Sequence, residues 1–289
     1  MRRAVSILVL SAVSALLANA QFGGLINKAK DKVNGATQKA KPVTDRGERA
    51  IENFTPWTPQ EEQLIGEATA AKMIAMFGVV DAPKLVRYVN LVGQSVAQYA
   101  PRQVPYRFGV LDSEIVGAFA LPGGFIFITK TAIEGMNNEA QLAGALGHEI
   151  VHVSERHLES AIRSRKNSAW AAEEAKAKTP SITPEFARSR AEAIMKDMFT
   201  MRLSRDKEDG ADERGTLMAA QSGYAASGLL EFLRTLEAAQ SKPANQRAFG
   251  QLLSTHPPFN ERIAHLAPIV TASSQSGKTL EARFTAALK

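Results

Sequence analysis

Residues 138–160 read NEAQLAGALGHEIVHVSERHLES. Asn138 followed by Gln141 three positions later is the outline of a capping box, so a helix is predicted from here through Ser160 or beyond. Inside it stands His148-Glu149-Ile150-Val151-His152, an HExxH pattern. A spacing of four places both imidazoles on one helix face, about 5–6 Å apart at Cβ. That suits two ligands of one tetrahedral zinc. Glu149 projects to the neighbouring part of the face, where it can take a proton from water activated at the metal. The plain alternative is a surface helix with two spare histidines. Two features weigh against it. Three of the five histidines (His148, His152 and His157) fall within ten positions. Gly144 and Gly147 also sit just upstream, although each costs about 1 kcal/mol against alanine in a helix; close packing beside a metal site would explain them.

A zinc ion needs a third protein ligand. His157 is followed by no metzincin glycine pattern, which leaves a carboxylate on another helix. The run Leu203 to Asp212, LSRDKEDGAD, supplies candidates. Glu208 and Asp212 stand at i, i+4, so one can bind the metal while the other accepts the free N–H of a ligand imidazole. A charged, solvated helix face would read the same way.

The flanking sequence is mostly helical. Apolar spacing from Glu61 to Phe77 predicts one helix, stopped by Gly78, and Pro83 to Tyr99 predicts another. Tyr106–Leu111 alternates like a strand, residues 118–124 read as a turn, and Phe125–Thr129 is an aromatic, β-branched strand. Ser164 to Pro184 breaks the pattern and reads as a mobile flap near the cleft. Helix is predicted again over Pro184–Ser222, Gly228–Gln240, Ala244–Leu253 and Asn260–Leu266. The expected fold class is α+β, mostly helical, with one small β-sheet and an HExxH helix.

Three motifs occur in order: HEIVH at 148–152, SRDKEDGADERG at 204–215, and STHPP at 254–258 followed by Glu261-Arg262-Ile263. Together they resemble the gluzincin zinc metallopeptidases of the HtpX, Oma and BepA type, related to the CAAX prenyl endopeptidases. The similarity runs from about Leu64 to Leu266, and the exported BepA- and LoiP-like members look nearest. The resemblance implies a zincin-type metallopeptidase domain holding one Zn2+ per chain. It implies His148, His152 and Glu208 as zinc ligands, Glu149 as general base and Asp212 as the group orienting a ligand histidine. His157 takes a structural role. It implies that the stretch from Phe119 to Thr129, with Ala118, Phe119, Gly123 and Gly124 as its contact residues, forms an edge strand and turn pairing with extended substrate. The family usually carries asparagine where this chain has Gly117. His256, stiffened by Pro257 and Pro258, would approach the zinc from the side opposite the HExxH helix. There it either stabilises the oxyanion or fills the open metal position and keeps the enzyme latent, the latter being preferred.

Composition bounds the rest. The chain has 289 residues, 45% hydrophobic and 22% charged, enough to bury a core. Absence of cysteine excludes disulfide scaffolds, thiolate metal sites and cysteine nucleophiles. The net charge of +6 belongs to the N-terminal region, and from Ala50 on the charges balance. A nucleic-acid surface on the main domain is therefore not indicated. Residues 1–20, MRRAVSILVLSAVSALLANA, have two arginines, an apolar run and an Ala18-Asn19-Ala20 end. They read as a secretory signal cleaved after Ala20, an uncleaved anchor being the alternative. Residues 21–59 read as a basic, partly disordered or helical arm, a solvated tail or a peripheral contact with anionic lipid. Residues 60–270 make the metallopeptidase domain and 271–289 a flexible tail. The expected role is an exported endopeptidase, most simply periplasmic, acting on polypeptides such as misfolded, stalled or outer-membrane proteins. The competing role is a chaperone-like client-binding module with cleavage secondary.

Overall fold

The computed structural model describes residues 56–165, 184–242, 245–273 and 277–289. The expected signal segment, nearly all of the basic arm and residues 166–183 of the flap expected over 164–184 lie outside these. Among the described residues no helix is long and apolar enough to cross a membrane.

Helix α1 (Pro59–Phe77) starts on a capping box: Thr58 Oγ1 accepts from the Glu61 N–H while the Glu61 carboxylate accepts from the Thr58 N–H. After α2 (Pro83–Ala97) come β1 (Arg107–Leu111), β2 (Ala118–Leu121), a tight turn at Pro122–Gly124 and β3 (Phe125–Thr129). The sheet order is β1-β3-β2, with β1 parallel and β2 antiparallel to β3. All five residues of β3 are buried, as the central position requires. Strand β2 corrects the predicted turn over 118–121. It is an edge: among the described residues no strand pairs with its outer side.

The rest is helical, in the mostly helical α+β class expected. Short α3 (Lys130–Glu134) leads to α4 (Glu139–Ser154), capped by the Asn138 side chain, which accepts from the Gln141 N–H. Every residue of α4 is buried, so the surface-helix alternative fails. The predicted continuation through Ser160 is interrupted. Arg156 takes a left-handed φ of 52° and α5 (His157–Arg165) starts in a new direction. Arg156 is held there by its guanidinium, which reaches Glu62 at 3.0 Å and the Trp57 carbonyl at 3.2 Å.

The single helix predicted over 184–222 is two, α6 (Pro184–Thr200) and α7 (Arg205–Gln221), separated by extended chain ending at Ser204. α8 (Gly228–Gln240), α9 (Gln246–Thr255), α10 (Phe259–Ala272) and α11 (Glu281–Ala287) complete the fold. The last of these corrects the expected flexible tail. Residues 277–289 fold back, with Phe284 buried and the Thr279 carbonyl accepting from the Ala140 N–H at the start of α4. Arg283, paired with Glu139, and Lys278, whose N–H donates to the Gly223 carbonyl and whose carbonyl accepts from the Ala225 N–H, help to dock it.

Helices α4 and α7 touch backbone to backbone. A Cβ on Gly147 would stand 2.6 Å from the Gly215 carbonyl oxygen, and one on Gly215 would stand 2.5 Å from the His148 nitrogen. Only glycine at both positions permits that crossing, and it brings the histidine helix within reach of the acidic one.

Candidate metal centre

α4 presents His148 and His152, and α7 presents Glu208 and Asp212 across the glycine contact. The histidines' Nε2 atoms are 2.9 Å apart. Glu208 Oε1 lies 3.7 Å from His152 Nε2, and its Oε2 lies 3.8 Å from His148 Nε2. His256, where the chain leaves α9, adds its Nε2 at 3.8 Å from the same Oε2. The ligand atoms of these four residues all fall within 4.8 Å of one another. A tetrahedron with 2.0–2.1 Å metal bonds has edges of about 3.3 Å, which these separations bracket.

Two observations test whether a divalent cation fits. Glu208 is 1% exposed, yet its Oε2 has no hydrogen-bond partner. Burial, helped by the charges of Asp212 and Glu149 and opposed by His148 and Arg262, pushes its pKa up to about 7, a cost that a bound cation would reverse. Secondly, the donors around that oxygen are imidazoles, two of which burial leaves neutral. Burial drives His152 and His256 well below their usual pKa. Three imidazole nitrogens and one orphaned carboxylate suit zinc.

His148 is oriented from behind. Its Nδ1 sits 2.7 Å from Asp212 Oδ1, and Asp212 is gripped by Arg262 from α10 at 2.8 and 2.6 Å. Burial would raise the Asp212 pKa, but the Arg262 guanidinium outweighs it and holds the carboxyl far below its usual range. Burial works downward on His148, and the Asp212 charge turns the net shift upward. Arg262 was not among the predicted site residues. Its signal was the Glu261-Arg262-Ile263 run after the paired prolines, which carries no spacing to Asp212. His152 rests on His157, Nδ1 to Nδ1 at 2.8 Å, and His157 Nε2 lies 3.2 Å from Glu155 Oε2. Burial lowers the His157 pKa to about 4.

Glu149 faces the edge strand β2 and lines the same cleft as His152, Glu208 and His256. It is buried and its pKa is raised by that burial, while a hydrogen bond from the Ala120 backbone N–H on β2 works the other way. The Gly117 carbonyl accepts from Thr129 N–H. By the antiparallel alternation Phe119 and Leu121 then also bond to β3, while Ala118 and Ala120 turn their backbone groups outward. Ala118 and Phe119 thus lie on the edge strand of the sheet. Gly123 and Gly124 are not part of it. Both have positive φ in the turn, and they pack against α1 and Pro105 instead of the cleft. Gly117 lines the cleft and has ordinary room for a side chain, its nearest neighbour being Phe119 at 3.5 Å.

Two clefts meet at Gly117, Ala118, Glu149 and His256. One, of about 640 Å³, is walled by Phe119, Leu158, Met198 and Met201. The other, about 450 Å³, runs between Ile128, Leu229, Phe232 and Leu236. The arrangement therefore combines a metal-binding cluster, a buried carboxylate, an open strand edge and apolar space on both sides.

Among known proteins the chain is 25% identical over 246 residues to the beta-barrel assembly-enhancing protease of Escherichia coli K12, covering 77% of this chain and 48% of that one. It is 23% identical over 228 residues to metalloprotease YcaL of the same organism, covering 79% and 82%. It is also 29% identical over 161 residues to the mitochondrial metalloendopeptidase OMA1 of Arabidopsis thaliana, covering 55% and 30%. The chain spans about half the length of the assembly-enhancing relatives it matches. Residues 83–270 match peptidase family M48, an interval that holds α4, α7, His256 and Arg262. That interval is well over half of the sequence, and the chain belongs to peptidase family M48.

Proposed function

We propose that the protein is an exported zinc metalloendopeptidase that cleaves misfolded or stalled proteins of the bacterial envelope, within the periplasm. One observation carries the reading: His148, His152 and Glu208 converge on one point, with Glu149 between that point and an unpaired strand edge. The names of the relatives, proteases and metalloendopeptidases, agree with it. The N-terminal leader-like segment supports export.

Zinc held by His148, His152 and Glu208 would act as a Lewis acid, polarising the scissile carbonyl and acidifying water. Glu149 accepts the proton and passes it to the departing amine, a task that its burial favours by raising its proton affinity. The Ala120 N–H fixes the carboxylate against the strand. An extended chain adds to the edge through Ala118 and the Ala120 carbonyl, which reads backbone and not sequence. Its side chains fall alternately into the two apolar clefts. Such a chain with exposed apolar residues is what an unfolded protein offers, and a folded one does not.

The test is metal analysis of purified protein together with a casein digestion assay. One zinc per chain and metal-dependent digestion are expected. Glu149→Gln should keep zinc and fold but lose hydrolysis, since the amide cannot accept the proton. Apo-protein that takes up no zinc overturns the proposal. Client rescue that survives Glu149→Gln would favour the chaperone-like role instead.

A further inference from the structure

His152 needs a bare Nε2 to bind a metal, and a neutral imidazole is bare at only one of its two nitrogens. What decides which one is the partner of the other. For His148 that partner is the carboxylate of Asp212. His152 has no carboxylate there. It has a third imidazole, that of His157, at 2.8 Å.

An imidazole can donate or accept, so the direction has to be fixed further out. Arg214 pairs with Glu155 through two contacts, Nε to Oε1 at 2.6 Å and Nη2 to Oε2 at 2.8 Å. A guanidinium only donates and an ionised carboxylate only accepts. Glu155 Oε2, 3.2 Å from His157 Nε2, therefore receives a proton from that nitrogen. With its proton on Nε2, neutral His157 keeps a lone pair on Nδ1. That lone pair accepts from His152 Nδ1–H, which leaves His152 Nε2 bare and aimed at His148 and Glu208.

We infer that His157, locked in one tautomer by Glu155 and Arg214, is the positioning residue that sets the tautomer and ring orientation of His152 for metal binding. The inference rests on the metal reading above.

The backbone is shaped for this contact. On an unbroken helix a residue five positions on is rotated by roughly 140° and faces away. The left-handed Arg156 breaks the helix immediately before His157, and the His157 ring meets His152 Nδ1. A non-glycine residue in that conformation costs about 1 kcal/mol, and the Arg156 contacts to Glu62 and the Trp57 carbonyl hold it there. Arg214, on α7 six residues beyond Glu208, closes the circuit. The helix that supplies the third ligand thus also orients the second histidine.

The test compares zinc affinities of the purified protein and its variants by competition with a chromophoric chelator, beside thermal unfolding of each metal-free form. His157→Leu deletes the acceptor and should weaken zinc binding about 10- to 100-fold. His157→Asn places a carbonyl oxygen near the position of Nδ1 and should stay within a few-fold of wild type. Arg214→Met, at a half-exposed position, should loosen binding several-fold with no loss of metal-free stability, and covers the case in which His157→Leu does not fold. 15N–1H correlation spectra should show the zinc-loaded protein with His157 protonated at Nε2 and His152 at Nδ1. The inference is overturned if folded His157→Leu binds zinc as tightly as wild type, if the Asn and Leu variants lose affinity equally, or if His157 carries its proton on Nδ1. Wild-type protein that binds no zinc overturns the metal reading itself, a separate outcome.

Discussion

His256 is the residue whose side chain can serve two opposed ends. Its Nε2 stands 3.8 Å from Glu208 Oε2, its ring is 5.8 Å from that of His148, and Thr255 Oγ1 lies 3.0 Å from its Nδ1. With zinc held as proposed, a neutral imidazole so close to the ligand atoms would complete a four-coordinate set and take the place an incoming carbonyl would need. His256→Ala should therefore keep zinc and raise basal peptidase activity several-fold, read by metal content and a fluorogenic peptide. A fall on the order of 10²-fold with zinc retained would assign His256 to the oxyanion instead. The cluster was legible in the sequence because His148 and His152 lie one turn apart on one helix and Glu208 and Asp212 one turn apart on another, with the family resemblance choosing Glu208 as the candidate ligand. Arg262, Glu155 and Arg214 were not. Each acts across two separate segments, and a charged residue on a helix reads as solvated until the packing is known.

At the scale of elements, the site depends on how closely α4 and α7 approach. Gly215→Ala would place a methyl 2.5 Å from the His148 backbone nitrogen, where neither helix can yield without moving. The helices should separate and carry Glu208 and Asp212 off the histidines. We expect a stability loss of about 2–3 kcal/mol and at least tenfold weaker zinc binding, measured by denaturant unfolding and chelator competition. Gly250→Ala on α9 is the contrast. Nothing lies within 4 Å of its Cβ position, so it should be neutral or stabilise by up to about 1 kcal/mol. Equal effects at the two sites would mean that the crossing does not govern the centre. Two glycines upstream of the first histidine already hinted at a tight contact, and the structure pairs Gly147 with Gly215. Most helices and the strands β1 and β3 were legible from periodicity. The breaks at Arg156 and at 201–204 were not, because neither is marked by glycine or proline; they are imposed by side-chain anchors from elsewhere in the chain.

Over the whole molecule, both ends of the described chain return to α4. At its start, buried Glu139 accepts from Tyr88 and Tyr224 hydroxyls and pairs with Arg283 of the last helix. Beyond its end, Glu62 of α1 accepts from the Gly123 N–H at 3.2 Å, from Arg102 and from Arg156. Trp57 N–H donates to Glu159 beside them. Glu62 thus joins α1, the turn after β2, the segment after α2 and the Arg156 break. Burial tends to raise its pKa, but Arg102, the Gly123 N–H and Arg156 together bring it below the usual 4.5. A carboxyl whose folded pKa lies below its unfolded one binds fewer protons when folded. Its contribution is fully present above about pH 4.5 and is lost as pH falls through the lower folded value. Glu62→Gln removes the charge and leaves two guanidiniums facing an amide, at a cost on the order of 3 kcal/mol near pH 7. That corresponds to a melting temperature lower by about 6–12 °C for a domain of this size. Measured on metal-free protein, so that zinc loss does not contribute, the wild-type and Glu62→Gln stabilities should differ most at neutral pH and converge as pH drops below about 4. A constant gap across that range would mean that Glu62 acts through its shape and not through its charge.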